Sequence, residues 1–173
     1  MDLPFDVTPL PANAPPAVGD PLPGAEVTLV TAETWQAGHF PPQDAAGPVT
    51  VVFHPMIGSF PTTYLYAGLS EAGVTEQSQV VGVTVSDPYA IAGFLREHGH
   101  PVTIASDPSC AMAQATDLSL EVDGLPGLEA HRPAVFVTTA DGTIQYRWVA
   151  DEWPEFPTYD EIADAVASVR GGR

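Results

Sequence analysis

Two uninterrupted apolar runs, "PVTVVF" at 48–53 and "QVVGVTV" at 79–85, constrain the fold of this chain more than any other feature. A strand with one wet face alternates apolar and polar residues, whereas a run without alternation needs cover on both faces. That is the environment of a parallel strand inside an α/β sheet. Between the runs, from about Pro61 to Ala72, Leu65, Leu69 and Ala72 share one helical face. The economical arrangement is a parallel strand pair joined by a helix.

Other elements follow from local chemistry. In "GAEVTLVTAETW", Val27, Leu29 and Thr31 alternate as a short strand does. "DPYAIAGFLREHG", 87–99, carries Asp87 as N-cap, Pro88 at the first helical position, Ile91, Phe94 and Leu95 on one face, and Gly99 as the stop. "PVTIAS" reads as a strand, and "DPSCAMAQAT" repeats the Asp-Pro helix start at Pro108. "PAVFVTTADGTIQYRWV" contains two strands around Ala140-Asp141-Gly142, and the last helix spans about Tyr159 to Val169. The order β, β, α, β, α, β, α, β, β, α predicts an α/β fold, a mixed central sheet flanked by helices. The proline-rich residues 1–23 read as an extended segment, lying over the domain or left mobile, and 24–173 as one domain.

The formal charge is −17, with 22 carboxylates against five cations, all arginine: Arg96, Arg132, Arg147, Arg170 and Arg173. Such a surface repels phosphate backbones and anionic lipid, which argues against a nucleic-acid or membrane partner. It stays soluble at high salt, where self-repulsion is screened, and fits a salt-adapted source. Cys110 is the one cysteine, so an intramolecular disulfide and a cysteine metal cluster are both excluded. The N-terminus has no basic start or signal-length apolar run, and no stretch approaches the ~20 apolar residues of a membrane span, so a soluble, cytoplasmic protein is expected.

Taken together, "VTVVFHP", "VVGVTVSDP", "ASDPS" and "RPAVFVTTADGTIQYRW" resemble, in order and spacing from Gly19 to Val169, the peroxiredoxin (alkyl hydroperoxide reductase / thiol-specific antioxidant) family. The resemblance implies a thioredoxin-like three-layer sandwich, thiol-dependent peroxide reduction without a cofactor, a homodimer, and a thiol reductant or protein partner. The family's active loop reads proline, three residues, threonine or serine, two residues, cysteine. Pro55, Ser59 and Thr62 match that frame, with Thr62 in the nucleophile's place, and Leu65 stands where the family has glutamate. The family's arginine lies three residues before the hairpin phenylalanine; before Phe136 that position is Pro133, with Arg132 one further back. A cis bond at Arg132–Pro133 would be informative, because another branch of thioredoxin-like proteins places a cis-proline beside its active loop.

Peroxide reduction needs a thiolate that becomes a sulfenic acid, and a thiol of pKa ~8.5 reaches that state through a helix N-terminus and a nearby arginine. A threonine hydroxyl does neither, so the resemblance implies little or no peroxidase activity and a binding or regulatory role, with dimer surfaces around the Thr62 helix. For Ser59 and Thr62 the simplest reading is helix capping. Cys110, placed near a helix start whose dipole lowers a thiol pKa, is either a one-cysteine redox centre served by an external thiol or a small buried hydrophobe. His39, His54, His98, His100 and His131 show no metal-ligand spacing beyond His98-Gly99-His100, and read as loop or surface residues, with His54 the one near Thr62. "DEWPEFPTYDE", 151–161, reads as a loop folding its aromatics back onto the core, with Trp148 and Trp153 packing.

Overall fold

The structure is a computed structural model that describes residues 6–121 and 125–172. Its elements in chain order are β1 (Thr8–Pro9), β2 (Ala25–Val30), β3 (Trp35–Phe40), β4 (Val49–Phe53), α1 (Phe60–Glu71), α2 (Val74–Gln77), β5 (Gln79–Thr84), α3 (Pro88–His98), β6 (Thr103–Ser106), α4 (Ala111–Ala115), β7 (Ser119–Glu121), β8 (Glu129–His131), β9 (Ala134–Thr138), β10 (Ile144–Val149), β11 (Glu152–Trp153) and α5 (Tyr159–Gly171). Seven strands form one sheet in the order β10-β9-β4-β5-β6-β2-β3. The two valine runs are β4 and β5; they pair in parallel, Val51 opposite Val81, and α1 joins them. β5 pairs in parallel with β6, while β9, β10, β2 and β3 run antiparallel to their neighbours, so the sheet is mixed.

All five residues of β4 are buried. Val52 points into a core made with Leu65 and Leu69 of α1, Ile91 and Leu95 of α3, and Ile162 and Val166 of α5. Val49, Val51 and Phe53 point the other way, onto Phe40, Met112, Leu118 and Phe136. A strand enclosed in this way has no use for polar alternation, which is why the run is continuous. α3 matches its sequence signals closely: Asp87 accepts from the N–H groups of Tyr89 and Ala90 at 2.8 and 3.1 Å, and Gly99 ends the helix in the left-handed region at φ 67°.

Several features depart from the sequence reading, among them the short elements β1, α2, β7, β8 and β11, which it does not contain. β3 pairs with β2 over its whole length, although "WQAGHF" lacks a clear strand pattern; its exposed Trp35 and half-buried Gly38 belong to an edge strand. The helix expected at Pro108 begins at Ala111 instead, because Cys110 at its N-cap sits in the left-handed region at φ 56°. Asp107 caps the turn from further back, accepting from Ala111 and Met112 N–H at 3.1 and 2.9 Å. Trp148 of β10 packs against the core, but in the 151–161 loop Trp153 is half-buried in β11, and the residue that folds back is Phe156, against Phe60 and Tyr64. The cis peptides among the described residues are Phe40–Pro41 and Trp153–Pro154, so Arg132–Pro133 is trans.

Candidate functional site

The junction from β4 to α1 lies at the carboxyl end of the central parallel strands, where open α/β sheets place their ligands. His54 and Pro55 continue β4 into full burial, and Ser59 is the N-cap of α1 with Pro61 in the first turn. The neighbouring strand ends pin the loop: Thr84 Oγ1 donates to the Pro55 carbonyl, Ile57 N–H donates to Ser86 Oγ at 2.8 Å, and Ser106 Oγ donates to the Ser86 carbonyl at 2.7 Å.

Thr62 is fully buried. Its hydroxyl lies 2.8 Å from Ser59 Oγ, 3.3 Å from His54 Nδ1, and donates to the Met56 carbonyl at 3.3 Å, so Ser59 is the donor in the hydroxyl pair. Neither side chain caps the helix: Ser59 makes no capping bond, and Thr62 turns back toward the loop. The capping expected from sequence gives way to a hydroxyl pair facing an imidazole.

His54 is the hub. Its Nδ1 is 2.9 Å from the Pro55 carbonyl, which can only accept, so the ring proton sits there and Nε2 accepts from the Tyr66 hydroxyl at 2.9 Å. Burial, followed by the charge of His131, lowers the imidazole pKa to about 3. Burial also holds the Tyr66 hydroxyl well above its ordinary value. Near neutral pH, then, every member of the cluster Ser59, Thr62, His54 and Tyr66 is uncharged.

Arg132 and the Asp107 carboxylate face elsewhere. Arg132, 2% exposed, donates to Asn13 Oδ1 at 3.2 Å, to the Ala150 carbonyl at 3.1 Å and to the Pro11 carbonyl, all outside the Thr62 cluster. His131 spans Val83 O and Asp107 Oδ2, each at 3.1 Å. Burial raises the Asp107 carboxyl, but the His131 hydrogen bond and two backbone N–H groups outweigh it and leave the group below the ordinary carboxylate range.

Cys110 is buried at 2% exposure, and burial, then Glu129 and Asp107, push its pKa up to about 11. That reverses the lowering expected from a helix start, since α4 is a five-residue helix with two carboxylates beside the thiol. His54 and His131 are fully buried rather than loop or surface residues. His98 and His100 stack at 5.9 Å beside Phe94, and His39 bonds the Pro41 carbonyl at 3.0 Å. Among the described residues no group of three His, Cys, Asp or Glu side chains could hold a metal ion. Sequence reasoning missed Tyr66 and the Asp107–His131 pair. Tyr66 lies one helical turn beyond Thr62, and Gly82 within the valine run of β5 was the available signal that something approaches closely there.

A mixed sheet with a buried strand-to-helix junction at the end of its central strands defines a thioredoxin-like α/β protein of the peroxiredoxin kind. The model of the AhpC/TSA family matches residues 18–147, and the chain belongs to that family. Its fold is similar to that of Mycobacterium tuberculosis AhpC (16% identity, 92% of this chain and 96% of that one, TM-score 0.73). It is also similar to Enterococcus faecalis AhpC (15%, 89% and 92%, 0.73) and to peroxidoxin BcpB from Mycobacterium tuberculosis (19%, 90% and 97%, 0.68). No curated protein sequence matches. Among the described residues no helix is long and apolar enough to cross a membrane.

Proposed function

We propose that this AhpC/TSA family member has given up peroxide reduction at the β4–α1 junction and acts as a binding or regulatory module, as a homodimer. Thr62 stands in the place of the family nucleophile. The observation that carries this reading is the closed hydrogen-bond cluster of Ser59, Thr62, His54 and Tyr66, which holds no thiol, no charge and no unpartnered donor. A peroxidatic group needs an anion and a cation to stabilise it, and the arginine in question, Arg132, is engaged elsewhere. The rival reading, a one-cysteine peroxidase built on Cys110, requires an accessible thiolate, and this thiol is buried with its pKa raised.

The test is consumption of hydrogen peroxide and of an organic hydroperoxide by the full chain with dithiothreitol as reductant. Wild type and Cys110→Ser are expected to be indistinguishable from the uncatalysed rate. Turnover that disappears in Cys110→Ser restores the one-cysteine enzyme, and turnover that persists in it refutes the proposal outright.

A further inference from the structure

The N-terminal segment is held as a ligand is held. Residues 8–16 bury no side chain fully, and their hold on the domain is a series of polar contacts. β1 pairs with β11, Thr8 opposite Trp153, and Leu10 N–H donates to the Asp151 carbonyl at 2.8 Å. Arg132 reaches the Pro11 carbonyl and Asn13 Oδ1; Asn13 Nδ2 donates to the Asp117 carbonyl at 2.9 Å; Ala14 N–H donates to the Asp117 carboxylate. Arg147 donates to both the Pro15 and Pro16 carbonyls, at 2.8 and 2.9 Å.

The chemistry fits its occupant. Proline has no N–H, so a proline-rich segment offers mainly carbonyl acceptors, and a surface that recognises one must supply donors. Two arginines supply them here, although the chain has 22 carboxylates with which arginine could pair. Among the described residues the one contact of salt-bridge length is between His131 and Asp107, and it involves no arginine. Asp117 completes the seat by taking the N–H that Ala14 offers between prolines. An element with many exposed contacts and no buried side chain belongs to the low-stability end of a fold and opens without unfolding the core.

We propose that Arg132, Arg147, Asp117 and the edge of β11 form a recognition site for an extended proline-rich segment, filled by residues 8–16 of the same chain and open to the same residues of a second copy. The exchange needs no new contact, only release at the turn around Gly19, which sits at φ 95°. None of these residues belongs to the Thr62 cluster; release of the segment would break the Arg132 bonds to Pro11 and Asn13 and leave its bond to the Ala150 carbonyl.

The test uses two full-length variants with complementary lesions. Asn13→Ala with Ala14→Pro spoils the segment and leaves the seat; Arg147→Gln with Asp117→Asn spoils the seat and leaves the segment. Both sets avoid the two sheet cores. The segment variant, isotope-labelled, is mixed with the unlabelled seat variant in 1 M salt, up to millimolar concentration, and NMR follows Arg147 and Asp117. Alone, each variant is expected to lose protection of residues 8–16 by about tenfold in hydrogen exchange. On mixing, the Arg147 and Asp117 resonances should move saturably toward their wild-type positions. The proposal is overturned if they do not move, if a partner carrying both lesions moves them equally, or if protection of 8–16 is unchanged in the variants. Unchanged core shifts report folding, and should either double variant fail that check, the mixing is repeated with Asn13→Ala and Arg147→Gln alone, judged by the same criteria.

Discussion

His54 shows how one buried residue sets both the chemistry and the pH response of its surroundings. Both ring nitrogens are engaged and the folded pKa is lowered to about 3 from 6.5. Below pH 6.5 the unfolded chain takes up a proton that the folded chain refuses until about pH 3. Stability from this residue is therefore complete above that upper value and falls on acidification, by up to about 1.4 kcal/mol per pH unit. Asp107, also depressed, loses its own contribution in the same direction, as pH falls through its folded pKa. His54→Gln keeps one donor and one acceptor but leaves Tyr66 or Pro55 short of a partner. The expected cost is about 1–3 kcal/mol at pH 7, together with a shallower loss of melting temperature between pH 6.5 and 4 than in wild type. Thermal melts across that range decide it, and parallel slopes would remove His54 as the source.

At the scale of elements, β5 and α1 approach closely at Gly82. A Cβ built on Gly82 would lie 1.8 Å from the Tyr66 hydroxyl and 3.1 Å from its Cζ. Gly82→Ala should cost about 1–3 kcal/mol. Tyr66→Phe alone should cost about 1–2 kcal/mol by stranding His54 Nε2. In the double variant the clashing oxygen is gone, so the combined loss falls below the sum, which a urea-denaturation cycle measures; simple additivity would contradict the contact. Much at this scale was legible in the sequence. The continuous valine runs named β4 and β5, and Asp87, Pro88 and Gly99 bounded α3, because burial on both faces and helix caps leave local signatures. β3 was not legible, since an edge strand is fixed by its partner rather than by its own pattern. In the site, Ser59, Thr62 and His54 were visible as a cluster in sequence. Tyr66 with Gly82, and Asp107 with His131, come from separate elements and meet only through the sheet.

For the molecule as a whole, charge is the dominant electrostatic fact. At −17, and with three of the four described arginines, Arg96, Arg132 and Arg147, donating to oxygens other than carboxylates, salt has self-repulsion to screen and few ion pairs to weaken. Raising salt from 0.1 to 1 M shortens the screening length from about 10 to about 3 Å, so the melting temperature should rise across that range; a fall would mean that attractive pairs dominate. The proposed loss of peroxide reduction rests on the β4–α1 junction, where Ser59, Thr62, His54 and Tyr66 bond one another. Its most direct measurement is the thiolate titration and peroxide turnover of Thr62→Cys combined with Cys110→Ser, which leaves one thiol in the cluster. With His54 neutral and Arg132 turned away, the thiol should ionise above the free value of ~8.5 and give no turnover. A pKa well below that value, with rapid peroxide consumption, would contradict the account.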